Sequence, residues 1–183
     1  MTTFPGTTIE VSELKKGSSR QLFDGIFAAG GITLSQVSIM AGLEPYLIQN
    51  WVKRGFLTSP VKRVYSKEQF SRIVIINMLR ESLQIDRICS LIQIIGGAPN
   101  NPDDDLIGDD ELYHRYVDMV SDEGININDR ASVQSAVQAA SENMISKIPN
   151  AQKKLANVLE VMLYAHAASM MRSRAEQILY SLS

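Results

Sequence analysis

No stretch of useful length in this chain alternates apolar and polar residues, so a sheet with one buried face has no support. What recurs instead is helical spacing of apolar residues, cut by strong breakers. These are Gly30-Gly31, Gly42, Gly55, Pro60 and the run Gly96-Gly97-Ala98-Pro99-Asn100-Asn101-Pro102 ahead of Asp103–Asp105. The expected fold class is all-α, with β structure limited to a small hairpin. The last break is the strongest, and it sets the expected organisation. An N-terminal extension with a short helix covers 1–31, a helical head 32–97, an acidic linker 98–108 and a helical tail 109–183.

With 183 residues, of which 45% are hydrophobic, the chain is long enough to bury a core without a disulfide or a metal. Cys89 is the only cysteine, and His114 and His166 are the only histidines. Cysteine-based zinc sites and histidine clusters are therefore excluded, and no cofactor is expected. The longest apolar runs, Ile73–Ile76 and Val161–Ala165, fall far short of the ~20 residues of a membrane span. Phe4-Pro5-Gly6 does not resemble a secretory leader, so a cytoplasmic protein without a membrane partner is expected.

Charge is uneven along the chain. Residues 1–98 carry 11 Lys/Arg against 7 Asp/Glu, and residues 99–183 carry 7 against 13. Lys53, Arg54, Lys62, Arg63, Lys67 and Arg72 face only Glu68 over twenty residues. Such a local basic edge suits contact with a polyanion, although it also suits a solvated face.

The most informative segment begins at Thr33. That residue can cap a helix whose inward face is Leu34, Val37, Ser38 and Ala41, and Gly42 stands where the helix must stop in a left-handed conformation. Pro45 fits the first turn of a second helix, with Leu47, Ile48 and Trp51 inward. Tyr46, Gln49, Asn50 and Lys53 follow i, i+3, i+4, i+7 spacing and face outward. Two short helices, a glycine turn and an outward polar row spell a helix-turn-helix. Its outward helix suits the major groove, where Gln and Asn pair with adenine and Lys reaches guanine or phosphate. Beyond it, Lys62 and Arg63 sit in a short excursion, and Ser66 can cap a further helix.

In order and spacing, residues 32–95 resemble the winged helix-turn-helix domain of MerR-type transcriptional regulators. Gly55-Phe56-Leu57 and Arg63-Val64-Tyr65-Ser66 match best, and Leu83–Ile88 looks like that family's fourth helix. The chain also resembles an uncharacterised bacterial family that joins such a head to a helical tail. Several features depart from the MerR pattern. Ser38 replaces the usual Ala, Gln49-Asn50-Trp51 replaces the usual Arg and Tyr pattern, and the wing is shorter. By resemblance, Tyr65 either supports the wing or touches phosphate.

The tail reads as three helices. Asp109-Asp110-Glu111 opens the first, which Gly124 ends. Asn128 or Asp129 caps a second that runs to Ile148, and the third runs from about Asn150 to Leu182. The apolar set of the third is wide enough for a helix packed on two sides. Ser18 or Ser19 is expected to cap the extension's helix, whose apolar stripe is Leu22, Phe23, Ile26 and Phe27. Trp51 and Cys89 are expected in the core, and His114 is expected to be satisfied or exposed.

The expected function is that of a DNA-binding transcriptional regulator, not an enzyme. Tyr46, Gln49, Asn50, Lys53, Arg54, Lys62, Arg63 and Tyr65 are its candidate contacts to double-stranded DNA. It would act as a homodimer, with the tail serving dimerisation or the binding of a small-molecule or protein effector. The rival is a helical protein-interaction module whose head no longer binds DNA.

Overall fold

A computed structural model describes residues 1–96, 106–122, 124–144 and 148–182. In chain order the elements are β1 (Thr2–Thr3), β2 (Glu10–Val11), α1 (Ser18–Phe27), β3 (Ile32–Thr33), α2 (Leu34–Ala41) and α3 (Pro45–Lys53). These are followed by β4 (Val64–Tyr65), α4 (Lys67–Leu79), α5 (Ile85–Gln93), α6 (Asp109–Val120), α7 (Arg130–Ser141) and α8 (Ala151–Ser181). The chain is mostly helical, as its spacing predicts.

Among the described residues two antiparallel pairs of two residues each supply the strands, so the β structure is not confined to one hairpin. β3 pairs with β4 through Ile32 opposite Tyr65 and Thr33 opposite Val64, and β1 pairs with β2 through Thr2 opposite Val11. Strands this short carry no alternation to read. The β1–β2 connection depends on Gly6, whose φ is 75° and where a Cβ would meet the Val74 carbonyl oxygen at 2.2 Å. That close approach is set by a residue far away in sequence, which explains why it escaped the periodicity argument.

α4 lies at the centre. Phe70, Ile73, Val74, Ile75, Ile76 and Leu79 are all fully buried, because α4 is covered on several sides. α6 packs against it, α8 reaches both, and α7 packs on α8. One continuous apolar core takes in Phe4 and Phe23 from the extension, Ile48 and Trp51 from the head, and Tyr113, Tyr116 and Leu159 from the tail. The composition break near residue 97 therefore does not separate two cores. Residues 98–105 of the expected linker lie outside the described residues. Its last part is structural: Leu106 is buried, its N–H donates to the Ile95 carbonyl at 2.7 Å, and Gly108 precedes α6.

Several helix ends differ from expectation because long-range partners replace local ones. α1 starts from a left-handed Gly17 rather than a serine cap. Ser19 is buried, where its hydroxyl meets His114 Nδ1 at 2.9 Å, and the Gly17 N–H donates to Asp118 at 2.7 Å. α6 stops at Val120, ahead of Gly124. Asp129 does cap α7, accepting from the Ala131 N–H at 3.0 Å, but the helix ends at Ser141. There Arg115 Nη1 donates to the Ala140 and Glu142 carbonyls, closing the C-terminus from α6. Residues 145–147, through which the longer helix was expected to run, lie outside the described residues. α8 matches its expected limits closely.

Candidate nucleic-acid interface

Local chemistry builds the α2–α3 pair as its spacing predicts. Thr33 and Gln36 form a reciprocal capping box at the start of α2. Gly42 ends α2 in the left-handed region with φ 64°, and the Leu43 N–H closes on the Ser38 carbonyl at 3.1 Å. The Ser38 hydroxyl donates to the Leu43 carbonyl, so the departure from alanine is satisfied within the turn. Pro45 opens α3, and Ile48 and Trp51 are buried beneath it.

Two residues that periodicity did not single out hold this turn in place. Asn77, the one polar side chain in the Ile73–Leu79 stretch, donates through Nδ2 to the Ala41 carbonyl at 2.8 Å and the Gly6 carbonyl at 3.0 Å. Thr8 donates to the Ile39 carbonyl at 2.7 Å. An amide inside an apolar helix was the available signal for Asn77. Thr8 offered none, because its partners lie more than thirty residues away.

On the outer side of α3, Tyr46, Gln49, Asn50 and Lys53 are all exposed, as is Arg54 at its end. Tyr46 is 69% accessible, so the ridge is not folded back onto the protein. Among the described residues the side chains of Gln49, Asn50 and Lys53 make no hydrogen bond or ion pair. The Arg54 guanidinium rests 4.5 Å from the centroid of the Phe56 ring, which holds the charge at the helix end.

The excursion after α3 forms a tight turn. Val61 bridges Val64, and the Val64 N–H donates to the Val61 carbonyl at 3.0 Å. The two central residues are Lys62 and Arg63, with φ of 51° and 66°. Two consecutive left-handed residues form the type I′ pattern, which normally selects Asn-Gly. Here it carries two exposed cations at a cost of roughly 1–2 kcal/mol per residue. The base of the turn is firm. Gln69 Nε2 donates to the Thr58 carbonyl at 3.0 Å and the Ser59 carbonyl at 3.1 Å, while Ser66 and Gln69 cap α4. Replacing Lys62 and Arg63 with Asn and Gly should raise unfolding free energy by about 1–2 kcal/mol in urea melts. An unchanged or lower stability would mean that the turn is not strained.

One candidate contact and two cations of the expected basic edge are engaged within the fold. Tyr65 is only 3% exposed and pairs with Ile32, so it supports the strand pair and is not available to phosphate. Lys67 is drawn to Asp24 at 3.1 Å and Asp110 at 3.6 Å. Arg72 is paired with Asp109 at 2.6 Å. The basic edge that remains is Lys53, Arg54, Lys62 and Arg63. The neutralising acids come from the extension and from α6, which sequence proximity could not reveal.

In the tail, a cleft of about 640 Å³ opens between the segment before α1, α6 and α7. A charge cluster lines it: Glu111 accepts from Arg115 Nε at 2.7 Å and from both terminal guanidinium nitrogens of Arg20. Burial pushes that carboxyl up, but Arg20 and Arg115 together hold it below its ordinary range. Its principal charges already serve each other. His114 is buried, its Nε2 has no hydrogen-bond partner among the described residues, and burial lowers its pKa. His166 Nδ1 meets the Tyr116 hydroxyl at 2.7 Å. Cys89 is buried, which pushes its thiol up and away from reactivity. Among the described residues no group of acids, histidines and cysteine could hold a metal ion, and no helix is long and apolar enough to cross a membrane.

These features define a mostly helical chain that presents a polar helix and a two-cation turn from a single core. Residues 33–116 match the model of a family described as a domain of unknown function, DUF1836. The match starts at the cap of α2 and runs through most of α6, so it spans the composition break as the core does. No curated protein and no solved structure matches the chain.

Proposed function

We propose that the chain is a sequence-specific DNA-binding regulator that uses α2 and α3 as a helix-turn-helix. α3 enters the major groove, where Gln49 and Asn50 read base edges and Lys53 and Arg54 reach guanine or phosphate. Lys62 and Arg63 contact the flanking backbone. The observation that carries this reading is the strained turn, which holds two exposed cations, without an acidic partner among the described residues, in a conformation that neither residue favours. Strain of that kind persists where it serves a site, and a polyanion is the partner two adjacent cations suit. One such module binds weakly, so two copies reading two half-sites are expected.

Selection from a random duplex pool, followed by titration in increasing salt, tests the reading. A recovered palindrome is expected. The Lys62→Asn, Arg63→Gly variant should bind all sequences more weakly and lose about one to two units of salt slope. Gln49→Ala should instead change the recovered sequence. Failure to enrich any duplex at low salt would overturn the proposal. That outcome would favour the protein-interaction reading, which draws on Ile39 and Val61, both 70% exposed close to the same site.

A further inference from the structure

α8 has two apolar faces, and only one of them is covered. Leu155, Val158, Leu159 and Met162 are buried against the rest of the chain. Val161, Tyr164, Ala168, Met171, Ala175, Ile178 and Leu182 are all exposed, and they recur at intervals of 3, 4, 3, 4, 3 and 4 residues. At about 100° per residue the centre of this set lies about 180° from Leu155, on the side facing away from the protein's own core. The exposure is not marginal: Tyr164 is 41%, Met171 61% and Leu182 79% accessible. Beyond Ser169 every described residue of the helix is exposed.

From this arrangement we infer that α8 pairs with α8 of a second copy as an antiparallel two-stranded coiled coil. Such pairing requires an a/d seam, and the stretch from Val161 to Ile178 supplies one about 26 Å long. No seam position carries a charge, while Arg172, Arg174 and Glu176 flank it. The seam is complementary to itself in size. In the antiparallel register that sets Val161 against the partner's Ile178, Tyr164 falls against the partner's Ala175 and Ala168 against the partner's Met171. Tyr164 and Met171 then each meet an alanine, Val161 meets Ile178, and the two-fold axis returns these contacts reciprocally, as an isologous interface demands. A parallel register would stack Tyr164 on its own copy and leave Ala168 and Ala175 facing alanine, with voids at both layers. Arg172 is held near the end of α4, with Nη1 donating to the Glu81 carbonyl at 3.1 Å, so the helix leaves the core in a defined direction.

Sedimentation equilibrium of the full chain, without DNA, should give a dimer at 10 µM. Met171→Glu with Ile178→Glu should give a monomer that stays folded with most of its helical signal, because both side chains are exposed and outside the core, and whose melting temperature is lower and no longer rises with protein concentration. Orientation is read by cross-linking in a Cys89→Ser background. Val161→Cys with Ile178→Cys should form an interchain disulfide on mild oxidation, and Ile178→Cys alone should not. A monomeric wild type at 50 µM, or a dimer indifferent to the double Glu variant, would overturn the inference. Efficient cross-linking by Ile178→Cys alone would overturn the antiparallel register. All of these measurements are independent of whether α3 binds DNA.

Discussion

Replacing Arg72 with Met is expected to cost about 3–5 kcal/mol of folding stability, because it leaves a buried carboxylate without its partner. Arg72 and Asp109 are 16% and 9% exposed, and their Nε to Oδ2 distance is 2.6 Å. Asp109 opens α6, and Arg72 lies mid-way along α4, so the pair ties the head to the tail. Burial pushes the Asp109 carboxyl up, and the Arg72 guanidinium opposes that push. Removing the guanidinium leaves a carboxylate that must either stay charged without a partner or take up a proton. Both are costly. Removing the two charges together is much less so, and the variant with Arg72→Met and Asp109→Leu should regain most of the loss. Urea denaturation of the two single variants and the double variant gives the coupling directly. A loss below about 1 kcal/mol for Arg72→Met would mean that water screens the pair as it does a surface ion pair.

The second large effect concerns acid. Burial holds His166 at about 4, against an ordinary 6.5, with its Nδ1 against the Tyr116 hydroxyl. The unfolded chain takes up a proton at this residue near pH 6.5, whereas the folded chain does so only near 4. Stability from this group is therefore full above pH 6.5 and drains away as pH falls toward 4. The loss over that window is about 3 kcal/mol, from 1.36 kcal/mol per pH unit. His114 acts in the same direction, because burial lowers its pKa too. His166→Gln keeps a polar partner for Tyr116 but cannot titrate, so its stability should fall less steeply between pH 6.5 and 4. Parallel slopes for the wild type and His166→Gln would remove His166 as the acid-sensitive group.

The structure also shows how far one-dimensional reasoning reaches. The α2–Gly42–α3 unit was legible because its local signals lie within twenty residues, a cap at Thr33, a left-handed glycine and a proline in the first turn, whereas the ties from Thr8 and Asn77 that steady the turn were not. The outward placement of Gln49, Asn50 and Lys53 follows from helical period alone. The basic edge was only partly legible. Among the described residues Lys53, Arg54, Lys62 and Arg63 have no acidic partner, but Lys67 and Arg72 are neutralised by Asp24, Asp110 and Asp109, which the fold brings from elsewhere. Tyr65 illustrates the same limit, since its burial depends on pairing with Ile32 across more than thirty residues.

What the sequence alone determined is therefore local: which segments are helices, where α2, α4 and α7 begin, and which side of α3 faces outward. These follow from hydrogen bonds and spacings that close within a few turns of backbone. The tertiary structure decided everything that depends on distant partners. It joined extension, head and tail into one core, forced two left-handed residues at the tip of a cationic turn, and split the apolar surface of α8 into a buried face and an open seam. Burial and charge neutralisation depend on what packs against a residue in space, and that information is spread over the whole chain rather than held in any one stretch of it.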